Sequence, residues 1–271
     1  MPVTRRAVLK GAVAATVGAI TGAGVYGAGY ERHHLGVTRA TLRVRNLPRT
    51  WEGFRIALLT DIHHSALVPA ADVAAAVTLA NAERPDLIVL GGDYVTASDR
   101  AYMDPVAELL APLRAPHGVV AILGNHDDDR FMPAALRRQH IEVLDDDHHT
   151  VRVNGRAMGL VGIRFWTRSR ARIESIVRRA RTPVLLLAHD PRRLTEASEL
   201  GVAAVLSGHT HGGQIVLPGL GAVAARKFPV TAGTGRMGDT PIFVSRGIGT
   251  VYVPVRINCP PEVALVTLTK A

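Results

Sequence analysis

Apolar residues recur along this chain in short runs that are rich in Val and Ile. Their lengths and composition are typical of buried β-strands. The runs lie at residues 55–60, 86–90, 118–123, 158–163, 183–188, 202–206, 241–245 and 263–268. Ahead of them, polar and apolar residues alternate at 41–45, which predicts an edge strand.

Helix-like patterns separate several of these runs. They cover residues 69–83, 105–113, 133–140 and 173–181. Strands that alternate with helices predict parallel βαβ units, and the closing runs without helices predict an antiparallel part. The 241 residues that follow the first 30 of this 271-residue chain suit one large α/β domain, so a second domain is unnecessary.

Five polar segments come shortly after apolar runs. They are Asp61-Ile62-His63, Gly92-Asp93, Gly124-Asn125-His126-Asp127, His189 and Gly208-His209-Thr210-His211. In open α/β sheets, ligand-binding residues collect on loops beyond the carboxyl ends of the strands. The sequence therefore predicts that these segments converge on one site.

The chemistry of these segments points to metal ions. Seven side chains offer hard oxygen or imidazole nitrogen, namely Asp61, His63, Asp93, Asn125, His189, His209 and His211. This set suits Mn, Fe, Zn or Mg. If one aspartate bridges, each of two cations receives four protein ligands. Because two divalent cations outweigh two carboxylates, such a site attracts an anionic phosphoryl group. The predicted chemistry is two-metal phosphoester hydrolysis.

The ordered set D-x-H, G-D, G-N-H-D, H and G-H-x-H resembles the calcineurin-like metallophosphoesterase superfamily. The resemblance runs from about Arg39 to the C-terminus. Residues 244–249 and 258–262 are also similar to its branch of exported, YkuE-like bacterial phosphoesterases. The resemblance implies an α/β fold with two facing mixed β-sheets flanked by helices, a four-layer sandwich.

The resemblance also implies a role for each residue. One metal takes Asp61, His63, His211 and the bridging Asp93, and the other takes Asp93, Asn125, His189 and His209. His126 stands beside the leaving group, Asp127 orients its ring, and a metal-bridging hydroxide attacks in line. The expected cofactors are two divalent ions, Mn, Fe or Zn. His64 either reaches a substrate phosphate or has a supporting or merely exposed role.

The N-terminus predicts export. Residues 4–10 read Thr-Arg-Arg-Ala-Val-Leu-Lys, which is similar to a twin-arginine signal, and residues 11–30 are uncharged and rich in Ala and Gly. We expect residues 1–30 to be a twin-arginine signal or an N-terminal membrane anchor, and 31–271 to be the phosphoesterase domain. No convincing cleavage point emerges, so removal and retention both stay open. The predicted location is extracytoplasmic, at the cell membrane, reached through the twin-arginine export machinery.

The net charge indicates which partners are favoured, and the cysteine content limits the disulfides that can form. The net charge is +9, and +6 remains without the three N-terminal cations. This excess favours a phosphorylated small molecule, a lipid headgroup or a membrane surface. Nucleic acid ranks lower, since an exported enzyme meets little of it. Seven arginines at 164–181 predict a solvated helix face. The single cysteine, Cys259, excludes an intrachain disulfide and reads as a small buried residue.

Two other functions compete with a general phosphoesterase. One is a hydrolase of a lipid-linked phosphate or nucleotide-sugar lipid, which the weakly apolar N-terminus and the arginine-rich stretch motivate. The other is a non-catalytic scaffold built on the remains of a metal site. Degenerate sites usually lack ligands, whereas all seven are present here.

Overall fold

The computed structural model describes residues 4–271. The first three residues of the predicted signal or anchor lie outside it. The described strands are β1 (Gly36–Val44), β2 (Arg55–Leu59), β3 (Leu87–Leu90), β4 (Val119–Ala121), β5 (Glu142–Val143), β6 (Asp147–Val153), β7 (Arg156–Ile163), β8 (Val184–Ala188), β9 (Ala204–Ser207), β10 (Gly233–Met237), β11 (Thr240–Val244) and β12 (Glu262–Lys270). The described α-helices are α1 (Arg5–Gly29), α2 (Ala70–Ala82), α3 (Met103–Leu110), α4 (Phe131–Arg138), α5 (Arg170–Arg179) and α6 (Leu194–Glu199).

The strands form two mixed sheets of six. The first has the order β1-β12-β2-β3-β4-β5, and the second β10-β11-β9-β8-β7-β6. Strands β2 to β5 run parallel, as do β7, β8, β9 and β11. The antiparallel pairs are β12 with β2, β10 with β11 and β6 with β7. The predicted antiparallel part is thus present at the closing strands.

Three hydrophobic cores stack these layers. The middle core joins the inner faces of the two sheets, for example Leu58 and Val89 against Leu187 and Leu206. The outer cores pack α2, α3 and α4 on the first sheet, and α5 and α6 on the second. The order of layers is therefore helix, sheet, sheet, helix, and the predicted four-layer fold is confirmed.

Burial on both faces explains why the strands read as continuous apolar runs. In β2, Ile56 and Leu58 enter the middle core while Ala57 and Leu59 enter the outer one. Successive side chains of a strand point to opposite faces, so each position must be apolar. All eight runs are strands in the structure, and the alternating segment is the edge strand β1, which begins earlier, at Gly36.

The sequence missed three strands, all of them at sheet edges. β5, β6 and β10 each have a neighbour on one side only. Their residues are partly exposed, as in β10, where intermediate and exposed positions alternate. Without two buried faces they produce no apolar run. The four predicted helices are present with shifted ends, and the arginines of α5 lie on its exposed face opposite Ile173 and Ile176.

Helix α1 stands largely apart from the sandwich. It is long and apolar enough to cross a membrane. Its last turn nevertheless contacts the domain, because Arg256 N donates a hydrogen bond to the Gly27 carbonyl at 3.2 Å. The buried Glu31 accepts a hydrogen bond from Cys259 N at 2.6 Å. The end of the helix is therefore joined to the segment before β12.

A buried arginine organises that segment. The Arg256 side chain is completely buried and donates to the carbonyls of Gly249, Cys259, Arg246 and Gly247. Burial lowers the pKa of this guanidinium. A charged donor that satisfies several buried carbonyls fixes a loop that has no ladder hydrogen bonds of its own. The sequence analysis did not single out Arg256, since a lone arginine in an irregular stretch resembles a surface residue.

We expect Arg256→Met to lower the free energy of unfolding by about 2–4 kcal/mol, because it leaves buried carbonyls unpaired. Arg152→Met is the matched control, since Arg152 is exposed on β6. That control should stay within about 0.5 kcal/mol of the parent chain. Urea unfolding measures both variants. Equal stability of the two would contradict the structural role of Arg256.

Candidate metal centre

The five polar segments meet where the carboxyl ends of the parallel strands of both sheets come together. Asp61, Asp93 and Asn125 follow β2, β3 and β4, while His189 and His209 follow β8 and β9. Backbone hydrogen bonds tie the loops to one another. Asp61 N donates to Gly92 O at 2.9 Å, and Gly208 N donates to His189 O at 3.1 Å. The predicted convergence is present.

Two groups of three side chains within the described residues are arranged to hold a metal ion. They are Asp61, His63 and His211, and Asp93, His189 and His209. Within each group the ligand atoms lie within 4.8 Å of one another. The nitrogens His63 Nε2 and His211 Nε2 are 3.1 Å apart. Two imidazoles on one ion at about 2.0–2.1 Å would have nitrogens about 3 Å apart.

Asp93 lies between the two groups. Its Oδ2 is 3.2 Å from His189 Nε2 in one group and 3.5 Å from His63 Nε2 in the other. Its second oxygen, Oδ1, accepts a hydrogen bond from His126 N at 2.8 Å. One oxygen therefore faces both groups while the other anchors the carboxylate. This is the position of a bridging ligand.

Outer hydrogen bonds fix how the imidazoles present their nitrogens. His189 Nδ1 donates to Gly91 O at 2.7 Å, which turns Nε2 toward the carboxylates. His63 Nδ1 lies 3.2 Å from Thr96 Oγ1. The His209 ring is flanked instead by Phe165 and Phe228, with centroids at 5.0 and 5.3 Å. Such partners orient metal-binding imidazoles.

Five of the seven predicted ligands have a left-handed backbone. Their φ angles range from 50° to 72°, at Asp61, His63, Asp93, His209 and His211. Each such residue costs about 1–2 kcal/mol relative to ordinary conformations. Strain of this kind persists where function requires it and the surrounding structure enforces it. These sharp turns direct the first and third side chains of D-x-H, and likewise of H-x-H, into the metal centre.

Two glycines leave room for the carboxylates. A Cβ at Gly124 would collide with Asp93 Oδ1, and one at Gly208 would collide with Asp61 Oδ2. These glycines belong to the G-N-H-D and G-H-x-H segments. Their place in those segments thus has a steric reason.

Burial and mutual charge set the protonation of the side chains at the site. Burial alone would lower the pKa of His189, but Asp93 and Asp61 outweigh it and raise that pKa to about 10. Burial lowers the pKa of His63 and of His209 to about 4. Burial also raises the pKa of Asp61 to about 6. Most of the imidazoles are thus already neutral, the form that binds metal, while His189 must release its proton.

The residues fit two metal ions. Asn125 Oδ1 is a buried oxygen without a hydrogen-bond partner in the described structure, and His189 Nε2 faces the Asp93 carboxylate at 3.2 Å. Buried polar atoms are normally paired, so an unpaired oxygen in the loop beside Asp93 fits a metal ligand. Oxygen and imidazole donors without thiolate suit hard or borderline divalent ions. The two groups are consistent with a dinuclear centre.

The structure corrects the role predicted for Asp127. Its buried carboxylate accepts hydrogen bonds from the backbone N–H groups of Asp93, Tyr94 and Gly124, each at 2.8 Å. The His126 ring is held by a different contact, in which Ala97 N donates to Nδ1 at 3.0 Å. Asp127 therefore fixes the loops that carry Asp93 and Asn125. With Nδ1 as an acceptor, the neutral His126 ring carries its proton on Nε2.

His64 is buried, which excludes the exposed alternative. Its Nδ1 lies 2.9 Å from the Val68 carbonyl, and its ring packs against Tyr102. These contacts support a structural role for the loop after D-x-H. Substrate contact by His64 stays a prediction.

Two residues outside the ligand set support the loop that carries His211. Cys259, which is buried and free as expected, donates its thiol hydrogen to the His211 carbonyl at 3.1 Å. Gln214 joins the loop after His211 to the carbonyls of Val251 and Val253. The sequence signal at Gln214 was its position directly after the H-x-H segment and two glycines.

Comparison with known proteins agrees with this geometry. The family pattern of the calcineurin-like phosphoesterases matches residues 54–213. The uncharacterized metallophosphoesterase YkuE of Bacillus subtilis is 31% identical over 278 residues, covering 98% of this chain and 97% of YkuE. Phosphodiesterase YaeI of Escherichia coli K12 is 31% identical over 226 residues, covering 79% and 82%. A Danio rerio transmembrane protein with a metallophosphoesterase domain is 30% identical over 254 residues, covering 87% and 57%.

The fold, the two ligand groups and these matches define a metal-dependent phosphoester hydrolase. The chain belongs to the calcineurin-like phosphoesterase family. The resemblance inferred from the five segments is confirmed. Metal identity and substrate are matters for proposal.

The bridging position of Asp93 predicts a graded loss of metal. We expect the parent chain to hold two Mn²⁺ ions, His209→Ala about one, and Asp93→Asn less than one, because Asp93 faces both groups. Elemental analysis after loading and desalting measures the ratio. His149→Ala, outside both groups, should retain two ions. An Asp93→Asn variant that keeps one ion at parental affinity would show that Asp93 serves a single group.

Proposed function

We propose that this chain is a dinuclear phosphoesterase that cleaves phosphodiester, phosphomonoester or pyrophosphate bonds outside the cytoplasm. The observation that carries the proposal is Asp93 Oδ2, which faces both imidazole groups within 3.5 Å. A shared carboxylate holds two cations close enough to act on one phosphoryl group. Mn, Fe or Zn are the expected ions, given oxygen and imidazole donors.

The bound metals would supply a water-derived nucleophile at neutral pH and would neutralise charge on the phosphoryl oxygens. Asp61, His63 and His211 would hold one ion, and Asn125, His189 and His209 the other, with Asp93 between them. The two carboxylates leave a net positive charge once both ions are present. An anionic ester is therefore attracted to the site.

His126 is the candidate residue that stabilises the leaving oxygen. Its ring lies 5.0 Å from the His63 ring, centroid to centroid, and its Nε2 carries the proton. In the overall reaction, an oxygen of water forms a bond to phosphorus and the ester P–O bond breaks. The departing oxygen takes one proton. With Nδ1 accepting from the Ala97 amide, the neutral ring can donate a hydrogen bond from Nε2–H to that oxygen and stabilise its charge, while water supplies the proton.

The test is hydrolysis of bis-p-nitrophenyl phosphate and of an alkyl phosphodiester by Mn²⁺-loaded protein. Turnover should be lost in Asp93→Asn. His126→Gln should lower kcat for the alkyl ester by about 10²- to 10³-fold, since the departing alkoxide loses the hydrogen bond from Nε2–H that stabilises its charge. The loss should be smaller for the p-nitrophenyl ester, whose phenolate leaves unassisted.

His149→Ala is the control variant and should match the parent chain. The metal content of His126→Gln should also match the parent, which separates stabilisation of the leaving oxygen from metal binding. Metal-replete protein inert to mono-, di- and pyrophosphate esters would overturn the proposal. An equal loss for both esters in His126→Gln would assign that residue another role.

Export and anchoring extend the proposal. The twin arginines Arg5 and Arg6 precede a helix that is long and apolar enough to be a signal or an anchor. Its side chains are exposed along most of its length, which suits a lipid surrounding. One relative is named a transmembrane protein. We place the domain at the outer face of the cell membrane.

Replacing both arginines, Arg5→Lys with Arg6→Lys, should retain the protein in the cytoplasm, because a twin-arginine signal is read through that pair. Cell fractionation with immunoblotting measures the distribution. Arg32→Lys serves as control, as it lies beyond the helix. Unchanged export of the double variant would exclude the twin-arginine route.

A further inference from the structure

The domain's exposed apolar side chains concentrate beside the metal centre. After Tyr30, eight large apolar side chains of the described chain are exposed, and five of them lie on two neighbouring segments. We call these five the apolar rim: Leu217, Leu220, Val223, Tyr252 and Val253. Apolar residues scattered singly on a surface are ordinary, whereas a cluster at a site indicates a partner.

The rim borders a cavity that two histidines of the candidate metal centre also line. The cavity has a volume of about 560 Å³, and its lining includes His209, His211, Leu217, Val223, Tyr252 and Val253. A metal-bound phosphate would occupy the histidine end. The opposite wall offers mainly apolar atoms, so it suits a substituent that avoids water.

The rim is a built feature of the fold. The Gln214 side chain donates to the carbonyls of Val251 and Val253 and accepts from Val251 N at 3.0 Å. The backbone pairs Val216 N with Ile257 O at 2.9 Å. Since Gln214 follows His211 by three residues, the rim is fixed directly to a metal-binding loop.

Tyr252 is unusual within this rim. It is 82% exposed, yet its φ is +62°, a strained conformation for an aromatic residue. Its ring lies 6.0 Å from the ring of His126, centroid to centroid. Burial does not compensate this strain. Backbone strain at an exposed residue beside a site indicates a functional constraint.

Helix α1, the proposed anchor, ends near the apolar rim. Gly27 contacts Arg256, which is three residues beyond Val253 and thus within about 10 Å of it along the chain. At this end of the helix, exposed Tyr26 and Tyr30 pack on each other at 5.3 Å. Tyrosines mark the level at which a membrane helix leaves the hydrocarbon. The rim therefore lies close to that level.

Charge on the rim suits an anionic lipid surface. Lys227 lines the cavity, and Arg226 donates to the Leu220 carbonyl at 2.7 Å. Cations beside exposed Leu, Val and Tyr are typical of segments that sit at a membrane interface. The apolar contact and the electrostatic attraction to anionic lipid would therefore act on the same face of the domain.

We propose that the apolar rim inserts into the membrane interface and that the cavity takes a phosphodiester lipid, with the phosphate at His209 and His211 and the apolar part along the rim. This rests on the proposed hydrolytic function for its substrate. A soluble phosphodiester with an apolar substituent shares that chemistry. The experiment separates the two sources.

The first measurement concerns insertion and needs no metal. The full chain is reconstituted in vesicles of phosphatidylcholine and phosphatidylglycerol that contain brominated acyl chains. Tyr252→Trp should show at least about twofold stronger quenching than Arg152→Trp, at an exposed position on the edge strand β6, after subtraction of the parent signal. Equal quenching at the two positions would overturn membrane contact by the rim.

The second measurement concerns the substrate. Mn²⁺-loaded protein is given phosphatidylglycerol vesicles and glycerophosphoglycerol, which has the same phosphodiester without acyl chains. We expect kcat/KM to favour the lipid by about 10²-fold, and this ratio to fall about tenfold in Leu220→Ser with Val223→Ser. Leu67→Ser should leave the ratio unchanged.

The outcomes are distinguishable from those of the proposed function. Hydrolysis of bis-p-nitrophenyl phosphate and of glycerophosphoglycerol without preference for the lipid would overturn this inference alone. Preference for a soluble hexyl phosphodiester, with no cleavage in vesicles, would overturn the lipid source. Absence of all hydrolysis would overturn the proposed function together with the lipid substrate, and the quenching result would still decide membrane contact.

Discussion

The Asp93 carboxylate is the constraint on which the rest of the centre depends. One oxygen must face imidazoles from two different sheets, so the carboxyl ends of both sheets must meet around it. Neighbouring residues hold the Asp93 carboxylate in this position. Asp127 bonds the Asp93 and Gly124 amides, and the Gly124 position excludes a side chain that would displace the Asp93 oxygen. A sandwich of two sheets is thus a means of bringing separate ligand groups to one anion.

The arrangement of side chains at the metal centre lowers the free energy of unfolding. Asp61 and Asp93 are buried close together, and five ligand residues adopt left-handed backbone conformations. A proton on His189 offsets part of the negative charge of Asp61 and Asp93. Divalent ions would replace that proton and offset the charge more fully. The three hydrophobic cores hold the loops in place, so the backbone strain is concentrated at the residues that present metal-binding side chains.

The sequence predicted the interior strands and the convergence of the five polar segments, because both leave strong local signals. β2 and β8 are buried on both faces, and Asp61 and His189 follow them at once. It failed where the deciding contact is distant in sequence. Asp127 was expected to hold the adjacent His126, but its carboxylate reaches the amides of Asp93 and Tyr94. Arg256 gave no signal and Cys259 indicated only burial, since their partners are backbone carbonyls, a type of acceptor that every residue carries.

These backbone contacts also connect the C-terminal end of α1 to the metal centre. Glu31 holds Cys259 N, and the Cys259 thiol holds the His211 carbonyl, while Arg256 binds both the Gly249 carbonyl and, through its own amide, Gly27. Gly249 N in turn donates to Asp61 O at 2.7 Å. The route from Gly27 to either ligand, Asp61 or His211, passes through a few buried hydrogen bonds. Because these bonds hold one segment in one arrangement, the end of the helix and the mouth of the cavity keep a fixed relation. Cleavage before Gly27 would preserve it, whereas cleavage beyond Glu31 would remove both contacts of the segment with the N-terminal region.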